Sequence, residues 1–230
     1  MKQLHTKGIV LTRTEYGEAD RIITFLTPDH GKARVIAKGV RRQKSKLAGG
    51  IELFSESDIT YVVGRGDLHT LVSTRLITHF GDIAKDLDRT MAGYEMLKII
   101  TRVLEDEGGE EYYRLLYESL QVLNNTSAPK TLAGTSFLLH LMRLLGHLPN
   151  FSVDAHGAAL PPEDQYQFSF DDMAFFVSPA GVFNKNHIKL LRLLSHNPAH
   201  ALLHVTGLNT YLEDINGLVT QMSRQYMVVL

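Results

Sequence analysis

Residues 31–50 read GKARVIAKGVRRQKSKLAGG. The first part alternates: Val35 and Ala37 fall on one side of an extended chain, with Arg34, Ile36 and Lys38 on the other, which predicts a β-strand with one buried face. After Gly39 the alternation stops, and the polar, glycine-bounded remainder reads as a mobile surface loop. The stretch holds Lys32, Arg34, Lys38, Arg41, Arg42, Lys44 and Lys46 and no acidic residue. Like charges placed this closely repel one another unless a counter-charge arrives. Long cationic stems on a loop can follow an irregular polyanion, so a nucleic-acid backbone is one reading. A solvated loop that keeps a sheet edge soluble is the other.

The flanking segments build a fold around this strand. Thr6–Leu11 (TKGIVL) and Ile22–Leu26 (IITFL) are β-rich and are joined by a polar connection, Arg13–Asp20. Thr27–Gly31 (TPDHG) places Pro, Asp and Gly where a hairpin turn needs them. Further on, Leu53, Ile59, Tyr61 and Val63 oppose Glu52, Asp58, Thr60 and Val62. Gly64–Asp67 is a tight turn, and Leu68–Phe80 is a fifth strand. Five short antiparallel strands without helical periodicity predict a small closed barrel. A five-stranded Greek-key barrel of this size is the OB-fold, whose usual ligand is an oligonucleotide. The same barrel can also serve protein contacts alone. The loop after strand 1 and the loop between strands 4 and 5 flank the ligand face of an OB-fold. Arg13, Tyr16, Arg21 and Arg65 therefore join the candidate contacts. Tyr16 either stacks on a base or caps the open end of the barrel, the second being favoured. Aromatic residues are otherwise sparse here, which points to backbone recognition without sequence readout.

From Gly81 the period changes. Ile83, Leu87, Met91, Tyr94, Leu97, Ile100 and Leu104 recur three or four apart, predicting an amphipathic helix ended by Glu107–Gly109. Tyr112–Leu123 and Lys130–Leu148 predict two more helices, with Pro129 at the start of the latter. That third helix is apolar around much of its surface and is expected at the centre of a helical domain. Residues 150–178 interrupt the helices, with Tyr166–Phe170 and Ala174–Val177 flanking Asp171-Asp172 as a hairpin. Ser178-Pro179 reads as a helix start. Helical patterns follow to Pro198, around Ala199–Val205 and over Tyr211–Met227. The fold class is thus α+β: an OB-fold domain over residues 1–80 and a helical domain over 81–230 carrying a small insertion at 150–178.

Composition narrows the function. The 230 residues have a formal net charge of −1 and contain no cysteine, which excludes disulfides and Cys-based zinc sites. The near-neutral total hides an asymmetry: residues 1–80 carry 13 Lys and Arg against 8 Asp and Glu, and both later portions are net acidic. A polyanion partner belongs on the basic side. No signal peptide or membrane-spanning run is expected, and a reducing cytosol fits. No phosphate-binding glycine motif or nucleophile elbow is present, and no nucleophile, base and orienting group come together, so an enzyme is not expected. His196, His200 and His204 are four apart, but Pro198 breaks the register and surface histidines are the favoured reading over metal binding. His140 and His147 read as packing or capping residues.

The run GIVLTRTEYGEADRIITFLTPDHGKARVIAKGVRR (residues 8–42) and the later LLGHLPN (Leu144–Asn150) resemble the RecO family of bacterial recombination mediators. The resemblance implies an N-terminal OB-fold followed by a helical domain with a zinc-finger-like insertion. It implies binding of single- and double-stranded DNA, annealing of complementary strands and, with RecR, assistance in loading RecA onto strands coated by single-stranded DNA-binding protein (SSB), whose C-terminal tail is a further expected partner. Cytoplasmic, nucleoid-associated placement, no cofactor and no membrane partner are expected. Many members carry two Cys-x-x-Cys pairs that hold zinc. Here those positions fall on Asp154 and Gly157, then Ser178 and Gly181. Two of these side chains cannot ligate, so the insertion is expected to be held without zinc, with His156 beside Asp154 as the only residual candidate for metal affinity.

Overall fold

Every second residue of β3 (Gly31–Ala37) is buried: Ala33, Val35 and Ala37 point into the core, while Lys32, Arg34 and Ile36 face away from it. This is the pattern expected from the alternation. The computed structural model describes residues 2–104, 109–162 and 165–227. Contacts divide the chain into two compact units, Met1–Asn125 and Thr126–Leu230. Glu105–Glu107 and Gly108, expected to close the first helix, lie outside the described residues.

In the first unit, β1 (Gln3–Tyr16), β2 (Asp20–Thr27), β3, β4 (Ser55–Val62) and β5 (His69–His79) close into a barrel in the order β1-β2-β3-β5-β4. The expectation of antiparallel strands throughout is corrected at one pairing: β3 and β5 run parallel through Val35↔His69 and Ile36↔Thr70, because closing the barrel brings these two strands side by side in the same direction, while the other pairings are antiparallel. One long first strand shared by both halves of the barrel, with a single parallel closure, is the OB-fold arrangement. β1 achieves this by an irregularity between Val10 and Thr12: its first half pairs with β4 and its second half with β2. Such a bulge bends the strand and increases its twist. Phe25, Ile59, Tyr61, Val10 and Ile23 fill the interior. The expected polar connection at Arg13–Asp20 is corrected. The strand runs on to Tyr16, and only Gly17, Glu18 and Ala19 turn, with Gly17 at φ +57°. β2 stays paired with β3 on its other side as far as Arg21↔Ala37, so the ladder rather than residue polarity sets the length of these strands.

Two helices belong to the same unit. α1 (Leu87–Val103) buries Arg89, Gly93, Met96, Leu97 and Ile100. The expected apolar face is corrected here, because Leu87, Met91 and Tyr94 are exposed. The buried face is turned by two contacts that periodicity does not register. A Cβ on Gly93 would lie 2.6 Å from the Phe54 ring, so glycine lets the helix approach. The Arg89 guanidinium donates to the Leu123 carbonyl at 2.6 Å, at the end of α2 (Glu110–Asn124). α2 is tied to the barrel by the Tyr113 hydroxyl, which donates to Glu56 at 2.5 Å. Glu56 is buried on β4 and also accepts from Thr78 at 3.3 Å.

In the second unit, α3 (Lys130–Leu144) packs against α4 (Lys185–His196) and α5 (Leu208–Met227) and buries Leu132, Phe137, Leu139 and Leu141, the central position expected of it. His140 bonds the carbonyls of Leu194, in the last turn of α4, and of Asn197, just after it, at 3.1 Å each. β6 (Tyr166–Ser169) and β7 (Ala174–Val177) form the expected hairpin. The helix start at Ser178-Pro179 is corrected. Residues 178–181 make a turn, and Phe183 then exchanges both backbone hydrogen bonds with Tyr166, at 2.8 and 3.1 Å. With those groups committed to the hairpin, the helix begins only at Lys185. There Asn184 and His187 form a reciprocal capping box.

Burial and the neighbouring Glu56 carboxylate push the Tyr113 phenol far above its ordinary range. A group whose proton is held more tightly when folded lends stability that is complete below its unfolded pKa and is lost as pH rises beyond it. Stability should therefore decline above about pH 10, where the unfolded phenol ionises. Tyr113→Phe should remove this part of the decline and cost about 1–3 kcal/mol at neutral pH, read by urea unfolding, because buried Glu56 loses a donor.

Candidate nucleic-acid interface

The basic segment after β3 is a chain of turns. The Gly39 amide donates to Asp20 Oδ1 at 2.7 Å, the Arg41 amide to Ala19 O at 2.9 Å and the Ser45 amide to Arg42 O at 3.0 Å. Val40 and Ile51 are buried in the barrel core and Leu47 packs against it. The sequence expectation of a mobile loop follows from polar composition, whereas these apolar residues, spaced among the cations, fasten the segment down. The cations alternate with the anchors and are turned outward: Lys38, Arg41, Arg42, Lys44 and Lys46 are exposed.

Their electrostatic surroundings differ. Glu15 on β1 takes Arg21 Nη2 at 2.9 Å and Arg41 Nε at 2.6 Å, so one carboxylate faces two guanidinium groups. Arg41 also donates through Nη1 to the Glu18 carbonyl at 3.2 Å. Arg13 is paired with Glu52. Arg13 and Tyr16 lie on β1 and Arg21 on β2, rather than in a loop. Lys32 Nζ donates to the Thr101 carbonyl at 3.5 Å. Among the described residues, Arg34, Lys38, Arg42, Lys44, Lys46 and Arg65 form no salt bridge, and each is exposed.

A cleft of about 380 Å³ opens outside β2 and β3, lined by Thr24, Lys32, Arg34, Asp67, His69 and Thr101. Arg65 lies in the same β4–β5 connection as Asp67. The cleft thus combines two cations, hydroxyl donors, an imidazole and one carboxylate. His69 stacks on Tyr61 with ring centroids 5.3 Å apart and accepts from the Gly64 amide at 3.3 Å. Thr24 and His69 were not singled out from the sequence. The hairpin register contained the signal for Thr24: pairing Thr27 with Gly31 also sets Thr24 opposite Arg34. His69 is placed by the parallel pairing with Val35, which no local pattern encodes.

Aromatic packing supports the insertion in the second unit. Phe175 meets Phe168, Phe183 and Phe151 with ring centroids 5.0, 5.5 and 6.2 Å apart. Asp154 Oδ1 accepts from the amides of His156 and Ala158, at 2.9 Å each. A Cβ on Gly181 would lie 2.3 Å from the Tyr166 carbonyl oxygen, so this position admits only glycine. Among the described residues no group of three or more His, Asp or Glu is placed to hold a metal ion. His196 ends α4 and His200 sits in a separate short helical turn, so these histidines do not share one helix.

A closed five-stranded barrel in this strand order, carrying a row of exposed cations and followed by helices, defines an OB-fold protein with an appended helical part. Two family models, "Recombination protein O N terminal" and "Recombination protein O C terminal", match residues 1–80 and 84–227. The chain belongs to the RecO family of DNA repair proteins. It is 35% identical over 174 residues to the DNA repair protein RecO of Streptomyces coelicolor, covering 72% of this chain and 70% of that one. Against the RecO of Acetivibrio thermocellus it is 32% identical over 206 residues, covering 89% and 80%. Against that of Roseiflexus sp. RS-1 it is 34% identical over 165 residues, covering 71% of this chain and only 57% of the relative's length. No helix among the described residues is long and apolar enough to cross a membrane.

If aromatic packing rather than metal holds the insertion, EDTA should leave the thermal midpoint unchanged. Phe175→Ala should cost about 3–5 kcal/mol by chemical denaturation, the usual range for emptying a buried aromatic site.

Proposed function

We propose that the protein is a recombination mediator that holds DNA by its phosphates. In this reading it binds single- and double-stranded DNA, anneals complementary strands and, with RecR, assists RecA loading on SSB-coated DNA. It performs no bond-changing catalysis and needs no cofactor. The observation that carries the reading is the row of exposed cations without carboxylate partners, Arg34, Lys38, Arg42, Lys44, Lys46 and Arg65, along one strand and two connections of an OB barrel. Lys32 and Arg34 would grip a phosphate in the cleft, with the Thr24 hydroxyl as a further donor. Arg13, Arg21 and Arg41 would add contacts once released from their carboxylates. Phosphate contacts position a strand without reading it and leave base edges free to pair, which is what annealing requires. The functional division is proposed at residues 1–80 and 81–230, with DNA on the first part and the surfaces for RecR and the SSB C-terminal tail on the second. The cytoplasm, at the nucleoid, is the proposed location.

A protein–protein adaptor with little DNA contact is the second reading. It is favoured by the apolar stripe Leu87, Met91 and Tyr94, which α1 leaves exposed.

If about five cations contribute, affinity for a single strand should fall roughly 100-fold between 50 and 200 mM salt. The triple variant Arg34→Ala/Arg42→Ala/Lys44→Ala should flatten the log–log salt slope by about 2 and slow oligonucleotide annealing with and without SSB. Unchanged affinity and slope in that variant would move the function to the adaptor reading.

A further inference from the structure

Glu15 is exposed near the end of β1, and it faces Arg21 across the pairing Glu15↔Arg21. Both Nε and Nη2 of Arg21 donate to Glu15 Oε1 at 2.9 Å. The other oxygen, Oε2, takes Arg41 Nε at 2.6 Å. Arg41 is meanwhile held at its own backbone, whose amide donates to Ala19 O at 2.9 Å. One carboxylate therefore uses each oxygen on a different guanidinium and draws the segment after β3 onto the β1–β2 turn. A phosphodiester presents a comparable pair of anionic oxygens to arginine.

We propose that Glu15 is an internal competitor for DNA phosphate: it occupies Arg21 and Arg41 in the free protein, and a strand gains these two contacts only by displacing it. This inference rests on the DNA-binding reading and adds regulation to that interface. Glu15 acts through the two arginines and is a positioning residue. Exposed ion pairs are weak, so displacement by a phosphate is feasible in both directions. The carboxylate that must be displaced on binding returns when a strand leaves. This shortens the residence of an annealed product and keeps the protein turning over between strands.

Glu18 provides the matched control. It is exposed on the adjoining turn, and among the described residues its carboxylate forms no salt bridge. Binding of a labelled single-stranded oligonucleotide would be measured against salt concentration for the wild-type chain, Glu15→Gln, Glu18→Gln, and Glu15→Gln in an Arg21→Ala/Arg41→Ala background. Glu15→Gln should bind about 2- to 30-fold tighter, the range that two exposed ion pairs can withhold. Its log–log salt slope should steepen slightly, because no carboxylate is freed on binding to recruit a cation. Glu18→Gln, with the same change in net charge, should show a smaller gain and the wild-type slope. The effect of Glu15→Gln should vanish where both arginines are alanine. Equal gains from the two glutamine variants, or a Glu15 effect that persists without the arginines, would overturn the competitor role and leave DNA binding itself standing. A wild-type chain with no salt-sensitive binding would overturn both.

Discussion

The parallel contact between β3 and β5 is the constraint on which the first unit depends. It comprises only the pairs Val35↔His69 and Ile36↔Thr70, yet it converts an open sheet into a closed barrel. Closure removes the exposed strand edges that would otherwise template association. It also dictates where the chain must travel. Leaving β3, the backbone crosses to β4 on the far side of β5, so residues 38–54 span one end of the barrel. Val40, Leu47 and Ile51 plug that end. With Val40 and Ile51 buried and Leu47 packed against the core, the lysines and arginines of this segment are turned to the surface. The basic surface is thus a consequence of barrel closure as much as of composition.

The interface is only partly neutralised by the protein's own acids. Arg13, Arg21 and Arg41 have carboxylate partners, whereas Arg34, Lys38, Arg42, Lys44 and Lys46 remain without them among the described residues. A fully paired surface would have to give up every ion pair to bind a polyanion. A fully unpaired one would repel itself in the free protein and hold a polyanion tightly. The arrangement seen lies between these two.

The second unit solves a different problem without cysteine. Its hairpin is too short to stand alone, since an isolated pair of strands is at best marginal in water. Phe168, Phe175 and Phe183 stack edge to face beneath it, and the Tyr166–Phe183 backbone pair adds a third extended segment. Aromatic area and two backbone hydrogen bonds thus hold the hairpin to its neighbours.

Alternation over Gly31–Ala37, the hairpin turn before it and the helical period after Gly81 are local patterns. They determined the order of elements, the barrel, the hairpin and the identity of the basic stretch from the sequence by itself. The direction in which α1 turns its apolar residues was not legible, because Leu87, Met91 and Tyr94 fit the helical period as well as Leu97 and Ile100 do. The choice between faces was made by Phe54 pressing on Gly93 and by Arg89 reaching the end of α2. Which cations are engaged and which are free was likewise decided only by tertiary structure. Glu15 and Arg41 are far apart along the chain and meet because the β1–β2 turn and the segment after β3 fold onto each other. Composition records that a charge is present, but its partner is set by distances that exist only once the barrel has closed.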